Sequence, residues 1–439
     1  MLSLLSAGSN AHGQLGNKEI DDSHLFRTCS FSDDTLPSRT TNVVDISNGA
    51  NHTLVLLKIQ MVGEQVTEVW GCGDGRAGQL GPKLRQQEPI TAFHKLDLDG
   101  PLNELNLEKY TIRAIGATWE TSYIVMERRG RSDVILSFGS NDFGDLGIGR
   151  DVGDKMVEKG PGIHIVNFSH ISAAGKSIDS AKTVEIEQLQ TGQRHVITSL
   201  KVVWDGEGPT QILIGWGACR HGQLGDMTNK SSNQSSPART SKAKMKNSAV
   251  SAPTYCSRPI RLYASDSPSA FIINFSSGIH HSAFLHVSGQ VSVKGSNRKG
   301  QIQGLQNLSN IHDIKCTWNG TYMLTADVPQ RLLSTGSNSH GQLGRAENSP
   351  TLQIEVTGTS IKALACGSEH SMIITTAEKG DEVWGWGWNE HGNLGLGNTT
   401  DYSVPQKLWP SSDNPGARVH GIWAGNGTSW ILCETPTRP

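Results

Sequence analysis

Histidines are the residues of this sequence best suited to acid–base or metal chemistry. The chain of 439 residues contains 16 of them, and imidazole both titrates near neutral pH and binds transition metals. Residues that recur once per structural repeat are kept apart by the repeat, so they cannot converge on one metal ion. We interpret these as structural side chains that hydrogen-bond the backbone between repeats, and we predict no catalytic residue and no metal site. Eight histidines recur in this way: His12, His52, His195, His221, His281, His340, His370 and His391.

Other constellations that support catalysis are missing from the sequence. It has no nucleophile elbow and no His-Glu-x-x-His pair, and its one stretch similar to a phosphate loop, GDGRAG from Gly73, is a repeat turn with no helix predicted after it. The seven cysteines are scattered and never spaced Cys-x-x-Cys, which argues against a disulfide framework and against a zinc site made by this chain alone. We therefore predict a protein that is not an enzyme and that holds no cofactor.

Aromatic and polar residues that depart from the repeats are better candidates for binding. Tryptophan is a large apolar group with one donor, and it anchors interfaces more often than its abundance suggests. The alternative for each of these tryptophans is that it fills space between structural repeats. We predict a partner-binding patch that combines aromatic anchors with carboxylates, made by Trp119, Glu120, Trp318, Asn319, Glu369, Trp388 and Glu390.

Two alternating motifs, each present in seven copies, must position these residues. The first reads Gly-x-Asn-x-x-Gly-Gln-Leu-Gly, as in GSNAHGQLG from Gly8, and the second is Gly-x-x-His before a short apolar run, as in GANHTLVLL from Gly49. The apolar runs have the length of strands, and the flanking glycines suit tight turns with positive φ. Three copies of the second motif, which begin at Ala117, Cys316 and Ala424, have lost the histidine.

The repeats predict an all-β, seven-bladed β-propeller. A small antiparallel sheet cannot bury both of its faces alone, so neighbouring sheets must stack and the ring must close. The first motif begins at once after Leu2, and no copy of it follows the last apolar run, Ser429 to Cys433. We predict that the C-terminal strands pair with residues 2–10 to complete the seventh blade, so that residues 1–439 form one propeller. A Ser-, Lys- and Asn-rich insertion at residues 226–257 predicts a disordered loop within it.

Bulk composition narrows the function classes. The net charge is −2, whereas a nucleic-acid binder usually carries a strong basic excess or a basic stripe. No segment approaches the length of a membrane span, and scattered single cysteines are typical of a reducing compartment. We expect a cytoplasmic or nuclear protein that contacts neither nucleic acid nor membrane directly.

The motif pair resembles the repeat of the regulator-of-chromosome-condensation family over essentially the whole chain. That resemblance implies a seven-bladed propeller but no single function, since members include guanine-nucleotide exchange factors and interaction scaffolds. Three segments are similar to a fungal branch of the family whose propeller binds a small zinc-binding protein that serves diphthamide synthesis and the Elongator complex. They are ATWETS (117–122), GSEHSMIITTAEKGDEVWGWGWNEHGN (367–393) and AGNGTSWIL (424–432).

Two functions therefore stand side by side. The resemblance implies a non-enzymatic propeller that forms a heterodimer with the small zinc-binding protein, contacts Elongator only indirectly, and supports diphthamide synthesis on translation elongation factor two and modification of the tRNA wobble uridine. The alternative is a guanine-nucleotide exchange factor for a small GTPase, because exchange needs only a surface that destabilises the bound nucleotide. The chain begins on a predicted strand at Leu2 without a basic tail, which disfavours a role on chromatin.

Overall fold

Seven antiparallel sheets form a ring in the computed structural model, which describes residues 2–32, 35–149, 162–225, 253–345, 352–356, 360–378, 380–410 and 418–434. The innermost strand of each sheet contacts the innermost strand of the next, and the last of these contacts the first. The all-β, seven-bladed propeller predicted from the repeats is confirmed.

The first two strands belong to blade 7, which closes the ring, and the chain then forms blades 1 to 3. The entry strands are β1 (Leu2–Gly8) and β2 (Ser23–Thr28). Blade 1 contains β3 (Thr40–Asn48), β4 (His52–Gln60), β5 (Gln65–Gly73) and β6 (Ile90–Lys95), and blade 2 contains β7 (Thr111–Ala117), β8 (Thr121–Glu127), β9 (Val134–Gly139) and β10 (Ile163–Ile165). A small hairpin of β11 (Ser172–Ala173) and β12 (Lys176–Ser177) precedes blade 3, which contains β13 (Thr183–Thr191), β14 (His195–Val203), β15 (Thr210–Ala218) and β16 (Tyr255–Ser265).

Blades 4 to 7 follow in chain order. Blade 4 contains β17 (Ile272–Ser277), β18 (His281–His286) and β19 (Val291–Gly295), and blade 5 contains β20 (Ile311–Thr317), β21 (Gly320–Thr325), β22 (Leu332–Gly336) and β23 (Gln353–Ile354). Blade 6 contains β24 (Ile361–Cys366), β25 (His370–Ala377), β26 (Gly380–Gly387) and β27 (Tyr402–Trp409). The strands β28 (Arg418–Ala424) and β29 (Thr428–Glu434) complete blade 7, and the described α-helix is α1 (Asp99–Glu104).

The two ends of the chain close the ring within blade 7. Strand β1 lies between β2 and β29, and it pairs with β29 in antiparallel register from Leu2 opposite Glu434 to Gly8 opposite Thr428. The predicted pairing of the terminal strands is confirmed. It leaves neither β1 nor β29 as an open sheet edge, and open edges invite association with other chains.

The predicted insertion at residues 226–257 ends earlier than the sequence suggests. Strand β16 begins at Tyr255, and its first residues pair with β15, with Ala218 opposite Tyr255 and Gly217 opposite Cys256. Residues 255–257 are therefore strand residues, because half-buried Tyr255 and Cys256 pack on the sheet. Because the residues before them are polar, the composition alone does not indicate where this strand begins. Residues 226–252 lie outside the described part of the chain, so the predicted disorder stays a prediction there.

The Gly-x-Asn motif forms the turn after the third strand of each blade. In blade 1 its first glycine, Gly73, has a φ of 100°, and a Cβ there would lie 2.3 Å from the carbonyl oxygen of Asn51. In the closing blade the Asn10 side chain accepts a hydrogen bond from the N–H of Leu15 at 2.9 Å. That leucine is fully buried, as the motif predicts.

Tryptophans seal the contacts between blades. Trp216, Trp386 and Trp430 are fully buried. The Trp386 indole N–H donates to the carbonyl of Gln342 in the turn of the preceding blade at 3.0 Å, and Trp216 makes the equivalent bond to Asp145 at 2.7 Å. Each bond satisfies a buried donor and ties one blade to its neighbour.

Candidate partner-binding face

Two turns lie side by side at the same end of every blade. One is the hairpin between the first and second strands, which carries the Gly-x-x-His motif, and the other is the Gly-x-Asn turn after the third strand. A backbone N–H of the turn donates to the carbonyl of the third hairpin residue, as from Ser140 to Glu120 at 2.9 Å. We call this end of the propeller the loop face. The same bond joins Asp74 to Asn51, Ala218 to Arg194, Ser296 to His280, Ser337 to Asn319, Trp388 to Glu369 and Ser9 to Gly427.

All seven residues of the predicted patch therefore lie on the loop face. Trp119 and Trp318 are each the second residue of their hairpin, which is the innermost position, next to the axis of the ring. Their backbones are held by the neighbouring blades. Ala50 donates its N–H to the Trp119 carbonyl at 2.8 Å, Trp119 to Gln193 at 2.8 Å, Ile279 to Trp318 at 3.0 Å and Trp318 to Ser368 at 2.7 Å.

Trp119 and Trp318 contact each other although they belong to blades 2 and 5. Their ring centroids are 6.1 Å apart with an interplanar angle of 40°. Two blades separate them on one side of the ring and three on the other, so the pair meets across the axis. Trp318 also borders an axial cavity of about 360 Å³. Both indoles are half-buried.

The loss of histidine in these two hairpins explains a second change in the motif. In an intact hairpin, a Cβ on Gly49 would lie 2.1 Å from the His52 ring, so only glycine fits. Backbone pairing places Thr121 where His52 stands, and Thr118 where Gly49 stands. With no imidazole to accommodate, the first position can carry a side chain, and the same exchange places Thr317 before Trp318.

A third residue completes the aromatic centre, and sequence reasoning missed it. The guanidinium of Arg194 lies 5.6 Å from the centroid of the Trp119 ring and 4.5 Å from that of Phe143. A guanidinium over an aromatic face is attracted by the ring quadrupole. The signal was present in the motif, because Arg194 and Glu120 occupy the same position of their hairpins, but nothing in the sequence shows that neighbouring blades bring Arg194 over Trp119.

Glu369 does not offer a free carboxylate. Its two oxygens accept hydrogen bonds from the Asn319 side chain at 2.6 Å and from the Gln342 side chain at 2.8 Å. Burial raises the pKa of Glu369, and these two hydrogen bonds oppose that shift. The structure thus brings two predicted residues together, Asn319 and Glu369, but as a bridge between blades 5 and 6.

Trp388 and Glu390 lie on the loop face, in the Gly-x-Asn turn of blade 6. The Trp388 indole N–H donates to the Glu390 carboxylate at 3.2 Å. The Trp388 ring lies between the imidazoles of His340 and His391, with centroids 6.3 and 5.1 Å away. Each imidazole also meets a carboxylate through Nδ1, His340 at Asp401 (2.8 Å) and His391 at Asp22 (2.6 Å). This side of the loop face is rich in carboxylates.

The opposite side, made by blades 3 and 4, is basic. Arg220, Arg298 and Lys299 are exposed in its Gly-x-Asn turns, and none forms a salt bridge with another described residue. The rings of His221 and His280 lie 3.8 Å apart beside them. Burial, followed by the fields of His221 and Arg298, lowers the pKa of His280 to about 4. The loop face therefore combines an aromatic centre with one acidic and one basic side, whereas the sequence predicted aromatic residues and carboxylates alone.

Four of the eight repeat histidines, those of the Gly-x-x-His motif, reach the next blade through Nε2. Each meets a side-chain hydroxyl where the backbone was expected, as in the 2.9 Å contact of His52 with Ser122. The other four lie in the Gly-x-Asn turns, where His340 and His391 meet the carboxylates of Asp401 and Asp22 instead. Ser122 in turn donates to the Gln79 carbonyl at 2.7 Å. Burial lowers the pKa of His52 to about 4, which keeps this imidazole neutral. Equivalent contacts join His195 to Ser282, His281 to Thr321 and His370 to Ser429.

The described residues also bear on two other site types, metal centres and membrane spans. They contain no group of three or more His, Cys, Asp or Glu side chains arranged to hold a metal ion. No helix within the described ranges is long and apolar enough to cross a membrane.

Comparison with known proteins identifies the repeats. A family model of the regulator of chromosome condensation (RCC1) repeat matches residues 381–432, and a second model of that repeat matches residues 361–393. An RCC1 repeat-containing protein of Schizosaccharomyces pombe is 26% identical over 439 residues, which cover 98% of this chain and 99% of that protein. The secretion-regulating guanine nucleotide exchange factor of Mus musculus is 24% identical over 99% of this chain and 84% of its own length.

A solved structure supports the same fold. Human WBSCR16 superposes with a TM-score of 0.68 at 16% identity, over 100% of both chains. The family models assign the repeats within residues 361–432 to the RCC1 repeat. The chain is an RCC1-like propeller.

Proposed function

We propose that this propeller is a non-enzymatic binding protein whose loop face holds a small zinc-binding protein, as in the fungal alpha-tubulin suppressor protein that the sequence resembles. Through that heterodimer it would support diphthamide synthesis on translation elongation factor two and Elongator-dependent modification of the tRNA wobble uridine. Contact with Elongator would be indirect, and neither nucleic acid nor membrane would be bound directly. The proposed place of action is the cytoplasm, and also the nucleus.

One observation carries the proposal: each of the three segments of resemblance contributes residues to the loop face. Residues 117–122 supply Trp119 and Glu120, and residues 367–393 supply Glu369, Trp388 and Glu390. Residues 424–432 form the hairpin of blade 7, where a Cβ on Gly427 would lie 3.4 Å from the Trp388 ring. Segments far apart in the chain thus build one surface, which is the pattern expected where a shared partner binds.

The aromatic centre has the properties of a binding hot spot. Trp119 and Trp318 are half-buried, so each keeps indole surface available to a partner while its backbone is fixed by neighbouring blades. Little conformational entropy remains to be lost when such a side chain is covered. Truncation of an aromatic anchor commonly costs about 2 kcal/mol or more, which is roughly thirtyfold in affinity.

The test measures binding and stability on the same variants. The recombinant zinc-binding diphthamide/Elongator accessory protein is titrated into the propeller by calorimetry, and thermal melting is recorded in parallel. Trp119→Ala and Trp318→Ala should each weaken binding roughly thirtyfold while the melting temperature moves little. Val287→Ala is the matched control, because Val287 is also exposed but lies in the turn after β18, away from the loop face.

Two results would contradict the proposal. If the wild-type propeller does not bind the zinc-binding protein, the partner is wrong. If the tryptophan variants melt far lower but the folded fraction binds normally, the two indoles fill space in the structure, since loss of a core tryptophan costs about 3–5 kcal/mol of stability.

A second candidate is guanine-nucleotide exchange on a small GTPase. The similarity to the mouse secretion-regulating guanine nucleotide exchange factor favours it, and an exposed face with separate acidic and basic sides suits a folded protein partner. Release of a fluorescent nucleotide from Ran and from other small GTPases distinguishes the two functions. We expect no acceleration by catalytic amounts of this protein, and a clear acceleration would favour the exchange factor.

A further inference from the structure

Two cysteine thiols lie close together at the end of blade 3 where β15 ends and β16 begins. The Sγ atoms of Cys219 and Cys256 are 3.4 Å apart, with the Cys256 thiol donating to Cys219. The Cys219 thiol donates in turn to the Pro253 carbonyl at 3.3 Å. Cys219 is buried and Cys256 is half-buried, so the pair has one member next to solvent and one behind it.

The backbone already holds the two cysteines in bonding range. Gly217 pairs with Cys256 in the sheet, and the Cys219 N–H donates to the Thr254 carbonyl at 3.0 Å. A disulfide needs an S–S distance of about 2.05 Å, so the sulfurs must approach by little more than about 1 Å, which side-chain rotation can supply. Among the described residues, this is the one thiol–thiol hydrogen bond.

We propose that Cys219 and Cys256 are a redox-active thiol pair, which a peroxide oxidises to an intramolecular disulfide. The half-buried Cys256 reacts first: its thiolate attacks one peroxide oxygen, the O–O bond breaks, and a sulfenic acid forms as hydroxide leaves. Cys219 then attacks the Cys256 sulfur, the S–O bond breaks, and the second hydroxide leaves. The two thiols lose two protons and two electrons, and hydrogen peroxide is reduced to two molecules of water.

The environment of the pair makes the rate of this oxidation depend on pH. The hydrogen bond with Cys256, followed by burial, raises the pKa of Cys219, so the thiolate that attacks in the second step is scarce at neutral pH. Cross-linking should therefore speed up as the solution is made more alkaline. The link would also fix the start of the turn that carries Arg220 and His221, on the basic side of the loop face.

The test uses the full chain and hydrogen peroxide. After brief treatment, remaining thiols are alkylated and the protein is digested and mapped by mass spectrometry. We expect one peptide pair joined through Cys219 and Cys256, lighter by two hydrogen atoms than the two separate peptides, and separated again by dithiothreitol. The link should form faster at alkaline pH.

Variants sharpen the result. Cys256→Ser should abolish the link and leave Cys219 available for alkylation in the unfolded digest, whereas Cys433→Ser, which removes a buried cysteine in blade 7, should leave the link intact. Alkylation of both thiols in the peroxide-treated wild type would overturn the proposal, and so would conversion of Cys256 to sulfinic acid without cross-linking. Because the wild-type map decides between these outcomes, the proposal stays testable even if a variant fails to fold.

Discussion

Deletion of residues 425–439 should destroy the fold and not merely weaken it. The deletion removes β29, whose residues from Thr428 to Cys433 are all buried. Burial of a large apolar side chain is worth about 1.5–3 kcal/mol, so Trp430, Ile431 and Leu432 together contribute roughly 5–9 kcal/mol. That range overlaps the total stability of a typical domain, about 5–15 kcal/mol.

Loss of β29 also opens the ring, because β29 pairs with β1 on one side and with β28 on the other. Both neighbours then present unpaired backbone groups, and exposed edges of this kind lead to aggregation. Size-exclusion chromatography with light scattering, together with thermal melting, checks the outcome. The matched control deletes residues 435–439, which follow the end of β29, and should melt like the full chain. A 425–439 deletion that stays soluble, monomeric and cooperatively folded would refute the closure argument.

Three further predictions concern pH and the insertion. Acidification from pH 7 to pH 5 should lower the melting temperature, because burial lowers the pKa of the four histidines of the Gly-x-x-His motif to about 3–4. The same side chains have a pKa near 6.5 in the unfolded chain, which therefore binds more protons in this range, at a cost of about 2 kcal/mol per histidine at pH 5. The pKa values of Asp45 and Asp145 are raised, to about 6 and about 7, which favours the folded state on acidification but should not offset the effect of four imidazoles. An unchanged melting temperature at pH 5 would contradict this prediction. Asp45→Asn should raise the melting temperature at pH 7, because burial raises the pKa of the Asp45 carboxyl, and the asparagine keeps an acceptor for the Trp423 indole N–H. Melting curves should show that this gain in melting temperature vanishes below about pH 4. Limited proteolysis should cut first within residues 226–252, and a first cut inside a blade would refute the composition argument.

The fold was predictable because its repeats encode local geometry. A glycine at each strand end, an asparagine that closes the turn and a leucine between two glycines specify one turn, and seven copies specify seven blades. The half-repeats at the two ends then require closure. The start of β16 was not predictable from composition, since a polar stretch runs directly into Tyr255 and Cys256, and pairing with β15 decides where the strand begins.

The candidate site was predictable only in its location. Motif position alone places Trp119 and Trp318 on one face, but their contact across the axis depends on the diameter of the ring. Contacts between blades decide which charges remain available, and these contacts involve residues far apart in sequence. They hydrogen-bond Glu369 to Asn319 and Gln342, and they place Arg194 over Trp119. The motif places Arg194 and Glu369 on the loop face, but the sequence does not show which residues of the neighbouring blades they contact.

Closure through β29 has a consequence for synthesis on the ribosome. Strand β1 is made before the other described strands, yet its partner β29 follows more than 400 residues later. At about 5–20 residues per second, the nascent chain carries this apolar strand, LSLLSAG, for roughly 20–80 s before the sequence that covers it exists. Molecular chaperones that shield exposed apolar strands would act during this interval. Blade 7 is thus started before blade 1 and finished after blade 6, and the chain is most vulnerable before residues 425–439 are made.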